Sequence, residues 1–172
     1  MAKGKEKDNS DKSDLNQFDP QTYGDKYQEH FIEQYKMYVE MADRISARRI
    51  QANSFFLGIN TTLIAAGGAL YRKKYSAPPE IVLIVIVAIL TLCYTWWCSI
   101  KSYGQLNSVK FKIITLLEKH LPSAPYSMEW TMLDEGKNPM VYYPLTTIER
   151  LIPFLFAILF IILGTCIAFP HT

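Results

Sequence analysis

The chain has 172 residues, a formal net charge of +2 and a mean hydropathy of +0.03, with 49% hydrophobic residues. That length suits one domain, and the near-balanced charge gives no electrostatic footprint for a nucleic-acid partner. The average hides a concentration of apolar residues in three charge-free stretches, Ala52–Leu70, Ile81–Ile100 and Leu151–Phe169. Each is about 20 residues long, enough helix to cross a hydrocarbon core of roughly 30 Å. A single soluble domain of this size could not enclose three such helices, so a soluble fold is excluded.

Residues 1–21 are polar and charged, with almost no apolar side chains, and are expected to form a disordered tail. Acidic residues alternate with its lysines, which argues against a polybasic membrane tether. No secretory leader is expected, because the first apolar run begins too late.

Residues 22–51 predict a water-facing helix. No Gly or Pro falls between Asp25 and Gln51, and Phe31, Tyr38 and Ile45 recur every seven residues, with Tyr35 and Ala42 between them. Nothing breaks the helix before the first span, residues 52–70. From Asp25 to Leu70 it would be about 69 Å long at 1.5 Å per residue, so much of it must stand outside the bilayer.

Within the first span, Asn53, Asn60 and Gly67 share a face, and Gly58, Thr62 and Ala66 form a small-residue stripe. Small residues let helix backbones approach, and polar side chains hydrogen-bond across. Asn60 and the stripe are therefore candidates for helix packing or oligomerisation, together with Phe31, Tyr35, Tyr38, Ala42 and Ile45. The face of Asn53, Asn60 and Gly67 is the candidate pore lining.

Residues 71–80, "YRKKYSAPPE", form a tight turn, so the first two spans make an antiparallel hairpin. Tyr71 and Tyr75 suit one membrane interface, Trp96 and Trp97 the other. After the second span, residues 81–100, an amphipathic helix is expected over residues 101–121. Leu106, Val109, Ile113, Leu116 and Leu117 lie on one side, and this side should cover the Phe31/Tyr38/Ile45 stripe. Residues 122–146, rich in Pro and Gly, predict an irregular loop. "TTIE", Thr146–Glu149, fits a capping box opening the third span, residues 147–169, and Pro153 is placed to bend it.

Of the 18 Lys and Arg residues, three lie in the turn and the other 15 precede the first span or lie between the second and third. The positive-inside rule then puts the N-terminus and the central segment in the cytosol and the C-terminus outside.

Chemistry is sparse. The spans hold no Asp, Glu, Lys, Arg or His, which proton relays and ion-coupled carriers usually need. Cys93, Cys98 and Cys166 have no ligand spacing, and His30, His120 and His171 are scattered, so no metal and no cofactor is expected. Glu129 with Trp130, and Asp134 with Glu135, have no catalytic partner at useful spacing. Phosphate loop, nucleophile elbow and zinc helix are missing from the sequence, and a non-enzymatic protein is expected. Arg44, Arg48 and Arg49 sit at the inner boundary as candidates for lipid-headgroup or anion contact. The alternative is snorkelling combined with pairing to Asp43 or Glu40.

Three segments carry a resemblance: "YVEMADRISARRIQANSFFLGINTTLI" (Tyr38–Ile64), "SYGQLNSVKFKIITLLEKHLPSAPYSMEW" (Ser102–Trp130) and "YYPLTTIERLIPFLFA" (Tyr142–Ala157). Over roughly residues 30–160 the chain resembles the RipA family of bacterial octameric membrane proteins. The resemblance brings no catalytic residues. It implies a homo-oligomeric ring, an octamer, in the bacterial inner membrane, with a role in stress adaptation or host interaction. Membrane effectors of bacterial defence loci are similar in build.

The expected fold is an all-α membrane protein with three transmembrane helices and a cytosolic helical hairpin stalk. Its expected partners are the bilayer, further copies of itself and a cytosolic protein. The expected function is that of a scaffold or assembly, with a pore or channel as the alternative.

Overall fold

The structure, a computed structural model, describes residue Phe18, residues 20–73 and residues 77–169. The expectations for residues 1–17 and 19 of the N-terminal tail, for Lys74 and Tyr75 in the turn and for His171 lie outside the described residues, while Pro20 and Gln21, at the end of the expected tail, are helical. The elements are all helical: α1 (Pro20–Tyr23), α2 (Tyr27–Arg72), α3 (Pro79–Glu118), α4 (Pro125–Met132) and α5 (Leu145–Ala168). Among the described residues, a 3₁₀ turn covers Asp134–Gly136. Helices α2, α3 and α5 are each long and apolar enough to cross a membrane.

Helix α2 runs unbroken for 46 residues, about 69 Å. It crosses the change from charged to apolar sequence near Arg49 without interruption, because no proline removes a backbone donor along it. Helix α3 is equally continuous over 40 residues. It opens with Pro79 in its first turn, where the missing N–H costs nothing, and ends before Pro122.

The register of the hairpin is antiparallel. Phe31 meets His120 edge-on, Tyr35 meets Glu118, Lys110 sits over Tyr38, and Asn53 and Asn60 meet Trp96 and Cys93. Helix α5 returns beside the apolar half of α3, with Trp97 against Phe154 and Trp96 against Phe156. Gly164 brings α5 close to α3, since a Cβ there would run into Ile86. Gly67 does the same between α2 and α5, where a Cβ would lie 2.6 Å from Leu163. At the centre, Trp96 is 1% exposed, stacks on Phe56 and donates its indole N–H to Asn53 Oδ1 at 3.0 Å.

Four expectations are corrected here. The interface role holds no place for Trp96, which is turned into the three-helix core. The side of α3 that faces α2 is only partly the predicted one: Leu117 is buried and Ile113 half-buried as expected, but Ile114 is buried too, and Leu106, Val109 and Leu116 are exposed. The rotation arises because Lys110 lays its stem and charge over the Tyr38 ring at 4.3 Å, so a cation occupies a position that hydrophobic patterning reserves for an apolar residue. The segment 122–146 is not wholly irregular, since Pro125 in a first helical turn starts α4. The capping box does not form. Helix α5 begins at Leu145 with no side-chain cap, and Glu149 is drawn to a tertiary partner.

Candidate functional site

The polar features concentrate at two levels. The first is the far end of the hairpin, outside the apolar stretches. Glu118 is 1% exposed and closes the end of α3. Its carboxylate accepts from Tyr35 Oη at 3.1 Å and from the backbone N–H groups of Tyr126 and Ser127 at 3.0 and 2.9 Å. Those two N–H groups belong to the first turn of α4, which has no side-chain cap of its own. Glu118 therefore supplies the cap from α3 and ties α2, α3 and α4 together. Burial, then the hydrogen bond to Glu118 and its charge, push the Tyr35 hydroxyl up to about 12. Burial and the nearby carboxylates of Asp43, Glu129 and Glu118 likewise push Tyr126 up.

The second level is where the apolar halves begin. Helices α2 and α5 run in the same direction from this boundary, and Arg49 Nε lies 3.7 Å from Glu149 Oε2 with both side chains nearly buried. Pro153 has no N–H to give the carbonyl of Glu149, so this turn of α5 also presents an open backbone acceptor. Arg150 folds against α3 at Gly104, where a Cβ would sit 3.6 Å from its guanidinium. Among the described residues, the buried side-chain polar atoms without a hydrogen-bond partner are Arg49 Nε, Asn107 Oδ1, Glu149 Oε2 and Arg150 Nε. All belong to this junction or to the next turn of α3.

The residues singled out in the sequence divide cleanly. Phe31 and Ala42 are buried within the protomer, and Tyr35, Tyr38 and Ile45 are half-buried against α3. Gly58, Thr62 and Ala66 remain on the outer face, and around Gly58 there is open space. Asn53, Asn60 and Gly67 do share a face, but it is turned into the protomer's own core. Asn60 is fully buried, donating to the Phe56 carbonyl at 2.8 Å and accepting from the Cys93 thiol at 3.5 Å. Arg44 pairs with Glu40 one turn away at 2.7 Å, and Arg48 is exposed. Arg49 takes neither Glu40 nor Asp43 but Glu149, a partner one hundred positions along the chain.

Sequence reasoning missed Glu118, Glu149 and Arg150. For the last two a signal existed: Arg49 stands just before the first apolar stretch and Glu149 and Arg150 just before the third, and helices entering from the same side place such residues at one height.

Residues 32–169 match the octameric membrane protein family. The chain belongs to this family. No curated protein and no solved structure matches it. The match covers α3 and α5 in full and all of α2 but its first turn, so the whole three-helix unit is the family's unit. An octameric membrane protein must leave surface for its own copies, and the outer faces of the three helices differ accordingly. In the apolar half of α2 the outer residues include a run of small ones, Ser54, Gly58, Thr61, Thr62, Ala65 and Ala66, flanked by the exposed Phe55, Leu57 and Leu63. The outer residues of α3 and α5 are mostly large, such as Ile84, Val87, Leu155 and Ile162, with Ala88, Thr91 and Thr95 the small ones on α3 and Thr165 on α5.

Proposed function

We propose that the protein is a non-catalytic homo-octameric scaffold of the bacterial cytoplasmic membrane. Its hairpin arm stands in the cytosol, the C-terminus lies outside, and the octamer closes through the outer face of α2. The observation that carries this reading is the contrast between that face and those of α3 and α5. Lipid tails are as apolar as Leu, so large aliphatics gain nothing by leaving lipid, whereas a small-residue face lets two backbones approach. Thr61 and Thr62 have already given their hydroxyl protons to Leu57 and Gly58 carbonyls of their own helix, at 2.7 and 2.9 Å, which makes that face compatible with close packing. The apolar ridge of Leu106, Val109 and Leu116 on the arm, unused within the protomer, suits a neighbouring copy or a cytosolic protein partner. The distribution of Lys and Arg supports the orientation, and the resemblance to the RipA family supports a role in stress adaptation or host interaction.

The pore reading loses Asn53 and Asn60, whose side-chain oxygens are engaged inside the protomer. What favours it is the exposed Thr61 and Thr62 pair, whose hydroxyl oxygens still have free lone pairs. Cysteine cross-linking distinguishes the faces. Thr62→Cys is expected to give a cross-linked dimer in native membranes and Leu159→Cys, on α5, is not. The opposite pattern would overturn the assignment of α2. Ion flux through reconstituted wild-type protein, lost in Thr61→Val/Thr62→Val, would establish the pore instead.

A further inference from the structure

The seam between α3 and α5 carries a second outward feature. A groove of about 290 Å3 runs along it, lined by Leu90, Tyr94 and Trp97 from α3 and by Pro153, Phe154 and Ala157 from α5. It exists because small Cys93 and Ala157 lie between the larger rings. Its rim residues Tyr94 and Phe154 are 64% and 53% exposed, so it opens away from the three-helix core. Its lining is almost wholly apolar, and its size is at the lower end for a small-molecule site, roughly 300 Å3. That suits a flexible chain better than a ring system.

Two cations stand at one end of this groove. Lys101 follows Trp97 by one helical turn, and its ammonium lies 5.3 Å from the Trp97 ring. Arg150 precedes Phe154 by one turn and lies against Gly104, one turn beyond Lys101. Among the described residues neither forms an ion pair: Glu149, next to Arg150 in sequence, is held by Arg49, and Glu118, the nearest acid to Lys101 in sequence, is engaged with α4. Arg150 Nε is buried without a hydrogen-bond partner, as is Asn107 Oδ1 one turn further along α3. An apolar groove within the span, headed at the span boundary by two uncompensated cations, matches the two ends of one molecule.

The geometry points to a bound anionic phospholipid, with an acyl chain in the Leu90–Ala157 groove and its phosphate between Lys101 and Arg150. A guanidinium matches phosphate oxygens through paired N–H donors, and Lys101 adds a second point charge. A headgroup that also carries hydroxyls could give a proton to Asn107 Oδ1. Basic sites between spanning helices on the cytoplasmic side take anionic headgroups in this way. The seam lies on the aliphatic side of the protomer, away from the α2 face, so the lipid and the neighbouring copy do not compete.

The test is native mass spectrometry of the full-length protein, extracted from vesicles containing equal parts phosphatidylglycerol and phosphatidylcholine. The wild type is expected to retain phosphatidylglycerol preferentially. Lys101→Ala/Arg150→Gln should reduce that preference by about tenfold or more, from roughly fivefold per lost cation near a headgroup. Lys101→Ala alone, at an exposed position, should give a partial loss and keeps the test valid if the Arg150 variant fails to fold. Ala157→Phe fills the groove and should remove retention of both lipids while the oligomer persists. Equal retention of the two lipids by the wild type, or unchanged preference in the double variant, would overturn the proposal. So would dissociation of the oligomer by Ala157→Phe, which would make the groove a contact between copies. Displacement of phosphatidylglycerol by millimolar inorganic phosphate alone would reduce the site to an anion site without an acyl chain.

Discussion

Replacing Glu118 tests how the end of the hairpin is held. The carboxylate receives three hydrogen bonds while 1% exposed. Hydrogen bonds to a charged acceptor contribute about 1.5–3 kcal/mol each, and a donor orphaned in a buried place costs about 1–3 kcal/mol. The three do not add fully in Glu118→Ala. Ser127 is exposed, so water can reach its N–H, whereas the Tyr35 hydroxyl and the Tyr126 N–H are half-buried. The expected loss is about 2–4 kcal/mol, felt as undocking of α4 rather than melting of α2 and α3, which make their own contacts elsewhere. Hydrogen exchange of the Tyr126 and Ser127 amides reads this directly. Protection should fall by about 30-fold to several hundred-fold, at one decade per 1.4 kcal/mol. Glu118→Gln keeps an acceptor without the charge and should lose about half as much free energy. If both variants leave these amides as protected as the wild type, Glu118 is not what caps α4 and the reasoning fails.

Other expected outcomes follow from the same contacts. The Tyr35 hydroxyl is raised from its ordinary 10.0 to about 12 in the fold, so the folded state prefers the protonated form. The stabilisation is fully present below pH 10 and is lost as pH rises to 12. Alkaline unfolding followed by circular dichroism should show this window, and Tyr35→Phe should flatten it. Arg49→Met should destabilise the protein by about 3 kcal/mol by leaving Glu149 uncompensated, while Arg49→Met/Glu149→Leu should recover most of the loss. A double-mutant cycle on thermal unfolding measures the coupling. Gly164→Val should unseat α5 from α3, because its Cβ runs into Ile86. Gly58→Val meets open space within the protomer and should leave the protomer folded while breaking the oligomer, as size-exclusion chromatography with light scattering would show.

Much of the fold was legible because helix continuity depends on short-range features. The lack of Gly and Pro between Asp25 and Leu57 predicts one long helix, and α2 is that helix. Facing was harder. Leu106 and Val109 look like the packing side of α3, but Lys110 packs its stem on Tyr38 and turns them outward. Residue type alone does not reveal a cation that behaves as an apolar residue along its stem. "TTIE" met the local pattern for a cap, yet capping competes with tertiary pairing, and Arg49 holds Glu149 instead. Asn53 and Asn60 were correctly placed on one face. Whether that face met a neighbouring copy, a polar path or the protomer's own core depended on Trp96 and Cys93, more than thirty residues away. Glu118 left no signal, since nothing local marks it as the cap of a helix that begins at Pro125, beyond Pro122.

The most direct test of the account is the particle itself: imaging of the full-length protein in lipid nanodiscs, with its mass measured alongside. The account predicts a closed ring of eight copies of the 19.8 kDa chain, with α2 at the contacts between copies and the Trp97–Phe154 seam facing lipid. A monomer or dimer, or a ring closed through α3 and α5 with α2 toward lipid, would contradict it.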